Sequence, residues 1–266
     1  MLEFDSGMSE PFIRFRGVGK AFGPKLVYRS LDMAIQRGEV VTVVGGSGVG
    51  KSVMLKMLIG LLKADRGNIT FDGDEITAMS EDELAIVRQR IAMLFQSGAL
   101  FDSLSVGENV AYGLEEHFGL KMSREDIRER VDWALSLVDL PGIEEMRPSD
   151  LSGGMRKRVA LARAIAVKPE VVLYDEPTTG LDPINTARVN HLIKGLQEKL
   201  SITSIVVTHD MKSAFEISHK IAMVYGGRII SQGTVEEFQN SHDQRVRDFV
   251  EGRAPVKESV EELLNA

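Results

Sequence analysis

Eight consecutive residues, Gly45, Gly46, Ser47, Gly48, Val49, Gly50, Lys51 and Ser52, combine what a chain of phosphates asks of a protein: closely spaced backbone amides, a cation and a small hydroxyl. Glycine at this density lets the backbone fold tightly enough to aim several N–H groups at one point. Lys51 is placed to reach terminal phosphates as a point charge, and the Ser52 hydroxyl suits one coordination position on Mg²⁺. Two adjacent acids, Asp175 and Glu176, close the apolar run VVLY. Asp175 can hold Mg²⁺ through water, while Glu176 turns toward an attacking water as general base. His209 follows the run IVVT, within reach of a γ-phosphate or that water, and Gln96 follows IAMLF with an amide oxygen for the metal or the water. Together these groups describe phosphoryl transfer, a reaction that needs orientation and fixed charge more than covalent help.

These groups meet only if strands and turns deliver them to one edge. Glu39–Val44 (EVVTVV) is a continuous β-branched run suited to a strand buried on both faces, and Val53–Leu62 reads as a helix. Strand, glycine loop and helix in that order form a Walker A arrangement, with the helix start adding about half an elementary charge. Val171–Tyr174 and Ile205–Thr208 are further buried strands whose carboxyl ends carry Asp175–Glu176 and His209, where open α/β sheets bind ligands. Pro11–Arg16 and Leu31–Gln36, with turn signals at Gly19–Gly23 and Arg37-Gly38, predict an antiparallel layer ahead of the Walker strand. Phe22, in KAFGPK, either stacks on an adenine or anchors that turn. Ile69–Asp72 and Ile91–Phe95 are strand candidates, and Ile221–Val224 with Arg228–Ser231 predicts a closing hairpin around Gly226-Gly227.

From about Ser97 to Ala166 the pattern turns helical, as in Arg124–Val138, where Ile127, Val131, Ala134, Leu135 and Val138 recur at three- and four-residue steps. The expectation is an inserted helical subdomain over 97–166 within one domain spanning 11–240. Ser152 is placed to cap its last helix. Asp182, in TGLDP, either fixes a loop or begins an Asp-Pro turn. Residues 241–266 form a polar tail with Val246, Phe249 and Val250, then Val260, Leu263 and Leu264, at helical spacing. That tail is either solvated or an arm that docks on a partner.

Composition sets bounds. A chain of 266 residues is long enough for one large α/β domain or a core with an inserted subdomain, and 43% apolar with 27% charged residues is the balance of an ordinary soluble protein. No apolar run approaches the ~20 residues of a membrane span. The opening MLEFDSGMSEPF carries acids before any apolar run, unlike a secretory or transit leader, and points to the cytoplasm. Absence of cysteine excludes disulfides and thiolate metal sites, and a net charge of −7 disfavours a nucleic-acid partner. His117, His191, His219 and His242 show no metal-cage spacing.

The order and separation of GGSGVGKS, Gln96, LSGGM, VVLYDEP, TGLDP and His209 resemble the ATP-binding cassette of ABC transporters, from Ile13 to about Phe238. The resemblance implies a P-loop NTPase fold with a RecA-like core, an antiparallel β layer and a helical subdomain, and ATP with Mg²⁺ as ligands. It also implies a head-to-tail homodimer in which Leu151, Ser152, Gly153, Gly154 and Met155 contact the partner's ATP and Asp182 lies between the two sites. Met155 departs from the usual LSGGQ and lacks the amide of glutamine. LSGGMRKRVALARA and FQSGALFDSLSVGENVAYGL look like the ATPase of bacterial Mla and MCE lipid transporters. That likeness implies a permease of the MlaE kind, an MCE lipid-binding protein, phospholipid cargo and a peripheral place on the cytoplasmic face of the inner membrane. Leu100, Phe101 and Leu104, apolar in a loop, would then line the permease groove. The alternative is a soluble cassette ATPase, such as one in iron–sulfur cluster assembly.

Overall fold

A computed structural model describes residues 10–118 and 121–253. The hairpin β1 (Ile13–Phe22) and β2 (Lys25–Ile35) leads into β3 (Val40–Val44) and α1 (Lys51–Leu58). β4 (Arg66–Phe71), β5 (Asp74–Glu75), α2 (Glu81–Arg90) and β6 (Ile91–Leu94) follow. Three helices come next: α3 (Val106–Phe118), α4 (Arg124–Leu137) and α5 (Gly153–Ala166). β7 (Val171–Asp175), α6 (Pro183–Leu200), β8 (Thr203–Val207), α7 (Met211–Ile217), β9 (Lys220–Tyr225) and β10 (Arg228–Thr234) complete the sheet. α8 (Val235–Gln239) and α9 (Gln244–Val250) end the described chain.

The strands order as β5-β4-β1-β2-β10-β9-β3-β8-β7-β6. β9, β3, β8, β7 and β6 are mutually parallel, whereas β1 pairs antiparallel with β2 and β4. Parallel strands are covered on both faces, and β3, β7 and β8 are buried at every position. Successive side chains of a strand point to opposite faces, so each strand feeds two cores. Val41, Val43, Val171, Leu173, Ile205 and Val207 enter a core with α1 and α2, while Val40, Val172, Tyr174 and Val206 enter one with α3, α4 and α5. A third cluster gathers Val44, Met223, Phe238 and Val246, which seats α8 and α9 against the closing hairpin. Val246 is fully buried there, and Phe249 and Val250 pack against the same cluster. Val260, Leu263 and Leu264 lie outside the described residues.

Several boundaries differ from the sequence expectation. Strand β1 runs through Gly19 with irregular pairing, and the turn falls at Gly23-Pro24, since Phe22 pairs with Lys25. The first helix begins at Lys51, two residues before the apolar pattern starts, because its opening turn belongs to the glycine loop. Helix α2 was hidden by its composition, EDELAIVRQR, in which only Leu84 and Val87 are buried; its signal was the capping box of Ser80 and Glu83. Among the described residues no helix is long and apolar enough to cross a membrane.

Candidate functional site

The parallel strands deliver their carboxyl ends to one edge. β3 leads into Gly45, β6 into Phe95-Gln96, β7 ends on Asp175 with Glu176 next, and β8 leads into Thr208-His209. A cleft of about 460 Å³ opens there, lined by Ser47, Gly48, Gly50, Lys51, Ser52, Val53, Gln96, Glu176 and His209. Two glycines are required by contact as well as by torsion. Gly45 has φ +154, and a Cβ there would lie 2.6 Å from the Val224 carbonyl oxygen. Gly50 has φ +106, and a Cβ there would lie 2.3 Å from Val27 Cγ1. The Tyr28 hydroxyl, buried beneath the loop, donates to the Gly50 carbonyl at 2.8 Å, and burial pushes that phenol above its ordinary range.

Lys51 is 7% exposed, with Nζ donating to the carbonyls of Gly45 at 2.9 Å and Gly46 at 3.0 Å. An ammonium carries three hydrogens, and Glu176 Oε1 lies 3.8 Å from the same nitrogen. Burial lowers the lysine's pKa, opposed by the charges of Glu176 and Asp175. A buried cation held by loop carbonyls at the mouth of α1 is a fixed positive point awaiting an anion.

Ser52 Oγ donates to Asp175 Oδ1 at 2.7 Å, so the two metal candidates from distant segments already touch. Glu176 Oε2 lies 2.9 Å from His209 Nδ1 and accepts from Thr179 Oγ1 at 3.0 Å. The Glu176 backbone is left-handed, with φ +51, a state that costs a residue bearing Cβ on the order of 1–3 kcal/mol. That turn ends β7 and directs the side chain into the cleft. Strain of this kind persists only where neighbours over-determine it.

Three of the neighbours that shape the cleft's surroundings lie inside the stretches LSGGMRKRVALARA and FQSGALFDSLSVGENVAYGL, where sequence alone assigns them no role of their own. Lys157, 7% exposed on α5, donates from Nζ to the Glu176 carbonyl at 3.2 Å. Arg163, one turn and a half further along α5, donates to the carbonyls of Gly98 at 3.0 Å and Ala99 at 2.9 Å. It therefore holds the loop after Gln96, where Ala99 is also left-handed at φ +46. Asn109 is fully buried and binds the backbone of Phe101, Leu104 and Ser105, which folds that loop onto α3. Each is a cation or amide amid an amphipathic helix, a pattern that reads as ordinary solvated surface until the loop it meets is known.

The remaining predicted residues divide. Leu151, Ser152, Gly153, Gly154 and Met155 do not line the cleft of their own chain. Ser152 caps α5, its hydroxyl accepting from the Met155 N–H at 3.2 Å, which leaves the hydroxyl hydrogen to donate elsewhere. The Met155 side chain packs on the helical core. Asp182 is the N-cap of α6, accepting from the amides of Ile184 at 2.9 Å and Asn185 at 3.0 Å. Phe22 sits outside the cleft lining at the hairpin tip, 45% exposed, with the Lys20 ammonium 5.2 Å from its ring. Leu100 packs on the helical core and Leu104 is half-buried, whereas Phe101 is 42% exposed and lies 4.8 Å from the Tyr112 ring. A second cleft, about 510 Å³, is lined by Phe12, Arg37 and Asp72 at the amino ends of the parallel strands, away from the glycine loop.

Residues 28–179 match the family model described as ABC transporter. The chain belongs to the ABC transporter family. It is the ATP-binding subunit of such a transporter, an ATPase whose hydrolysis is coupled to transport. The cassette is 39% identical over 264 residues to the "Intermembrane phospholipid transport system ATP-binding protein MlaF" of Haemophilus influenzae, covering 96% of this chain and 99% of that one. It is also 39% identical over 250 residues to the "Probable ribonucleotide transport ATP-binding protein mkl" of Mycobacterium tuberculosis (strain ATCC 25618 / H37Rv), covering 94% of this chain and 68% of that one. Among solved structures, the dimeric post-hydrolysis state of the cassette MJ0796 bound to ADP and Pi superposes with a TM-score of 0.77 at 31% identity, covering 84% of this chain and 98% of that one. The mixed parallel and antiparallel sheet with its helical layer is thus the ABC ATPase fold that the motifs implied.

Proposed function

We propose that this cassette is the ATP-hydrolysing half of a dimeric engine that moves phospholipid at the bacterial inner membrane. The observation that carries the cargo is the end-to-end likeness to MlaF, 99% of whose length is matched, against 68% for the relative named for ribonucleotide transport. An MlaE-like permease and an MCE-domain lipid-binding protein are the partners this reading requires, with the cassette on the cytoplasmic face of that membrane.

In this reading the loop amides of Gly46–Gly50 and the Lys51 ammonium hold the β- and γ-phosphates. Ser52 and Asp175 fit Mg²⁺ as hard oxygen donors already in contact, with Gln96 at the cleft rim as a further oxygen. The ion would neutralise charge on the phosphate oxygens. Glu176 takes the proton of the attacking water, and its bonds to His209 and Thr179 aim the carboxylate. Phe22 lies at the hairpin tip as a candidate surface for adenine.

The segment Leu151–Met155 serves the partner's nucleotide. Moving an open/closed equilibrium from 1:99 to 99:1 takes about 5.5 kcal/mol of differential binding. Two nucleotides would each supply roughly half, the size of one or two charge-assisted hydrogen bonds from Ser152 and the amides of Gly153 and Gly154 at ~1.5–3 kcal/mol each. Met155, turned into the helical core, leaves that contact to the serine and the amides.

The test joins hydrolysis to association. Glu176→Gln retains ATP affinity, loses turnover by about 10²- to 10⁴-fold and forms a stable dimer in saturating Mg-ATP. Tagged Glu176→Gln chain is then recovered from membranes, and its companions and lipids are identified. Wild-type turnover in the variant ends the general-base assignment; a companion without associated phospholipid ends the cargo assignment.

A further inference from the structure

Between the start of α5 and the carboxylate of Glu176 stands one buried cation. Lys157 lies five residues beyond the cap Ser152, and its Nζ meets the main-chain oxygen of Glu176 at 3.2 Å. Its electrostatic neighbours are the carboxylates of Glu176 and Asp175. Glu176 is thus held from two sides: Lys51 approaches its side chain from the glycine loop, and Lys157 grips its backbone from the signature helix. The carbonyl that Lys157 grips belongs to the left-handed residue itself, so displacing that main-chain segment displaces the Cα that carries the carboxylate. A contact of 3.2 Å sits at the long end of the N–H···O range and can tighten if α5 advances.

We propose that Lys157 is a positioning residue that couples the two ATP sites: seating the Ser152 end of α5 on the partner's nucleotide sets the aim of Glu176 at the chain's own. The inference rests on the dimer reading above. It assigns the coupling to a side chain outside the lining of its own chain's cleft.

The experiment compares Lys157→Met and Lys157→Arg in the full chain, measuring hydrolysis against ATP concentration, nucleotide affinity, and dimer formation in a Glu176→Gln background. Loss of a charge-assisted hydrogen bond predicts a kcat lower by about 10- to 100-fold in Lys157→Met, with KM and ATP affinity within about threefold of wild type. The Hill coefficient falls toward one, and Mg-ATP still dimerises Glu176→Gln/Lys157→Met. Lys157→Arg, which keeps a cationic donor, restores most of kcat and the cooperativity. Lys157→Gln, which keeps a polar group in place, reports in the same direction should the methionine variant fail to fold. Wild-type kcat and Hill coefficient in Lys157→Met overturn the proposal while leaving the dimer intact. So does a kcat loss that the arginine cannot restore. Failure of the Glu176→Gln chain itself to dimerise removes the reading beneath, and the proposal with it.

Discussion

Gly50→Ala tests how the phosphate loop is braced. The new Cβ would lie 2.3 Å from Val27 Cγ1 and 3.1 Å from Tyr28 Cε2, at a backbone φ of +106. Overpacking of this kind costs about 1–3 kcal/mol, and the left-handed torsion adds about 1–2 kcal/mol. A loss of roughly 2–5 kcal/mol is expected, measured by chemical denaturation of the nucleotide-free chain. Because the severest contact is a single methyl group, Val27→Ala should relieve the packing part and leave the torsional part. Val27 is 8% exposed, so its own truncation costs on the order of 1–2 kcal/mol. The double variant is then less destabilised than the sum of the singles by about 1–3 kcal/mol, well beyond the ~0.5 kcal/mol of ordinary additivity. ATP affinity, followed with a fluorescent nucleotide, falls in Gly50→Ala and partly returns in the double variant. Strict additivity, or unchanged affinity in Gly50→Ala, would refute the claim that Val27 and Tyr28 set the loop's shape.

Arg163→Met leaves the carbonyls of Gly98 and Ala99 without their donor; stability is expected to fall by about 2 kcal/mol and amide exchange over 98–101 to quicken, with unchanged exchange counting against the clamp. Acid sensitivity should trace to the network of Arg37 and Arg90 with Asp72 and Glu170, since hydrogen bonds from Arg90 hold both carboxyls below their ordinary values of 3.8 and 4.5. A depressed carboxyl stabilises the fold above its unfolded value and loses that contribution as pH falls through the folded one. Arg90→Met should therefore flatten the stability profile below pH ~4.5, by no more than about 1 kcal/mol because the pair is partly exposed, and parallel acid limbs would exclude this origin. For the docking surface, Phe101→Glu should leave ATP affinity intact while abolishing recovery of the membrane companion, and full recovery would place the groove elsewhere.

What the sequence made legible is what is local. GGSGVGKS and VVLYDEP state their chemistry within a few residues, because a phosphate loop and a strand-end carboxylate need only their immediate neighbours to be recognised. The buried runs of β3, β7 and β8 declare a parallel sheet for the same reason. Tyr28, Lys157 and Arg163 were illegible because each acts on a backbone distant in the chain, and Asn109 because its bonds to Phe101, Leu104 and Ser105 depend on an irregular loop folding back onto α3. Tyr28 reaches Gly50 and Lys157 reaches Glu176, pairings that no periodicity encodes. Phe22 lies at the β1–β2 turn where its sequence context placed it, 45% exposed and beside the Lys20 ammonium. Asp182 is legible as far as its Asp-Pro pair, which starts α6 with the aspartate as N-cap.

All the side chains at the cleft belong to positions later than Glu39, and a chain shortened to begin there would keep every one of them. It would still lose the phenol that props Gly50 from below and the valine that bounds the turn. The smallest piece of this polypeptide able to grip a nucleotide is accordingly larger than its recognisable motifs, and its foundation is poured before the first of them is reached.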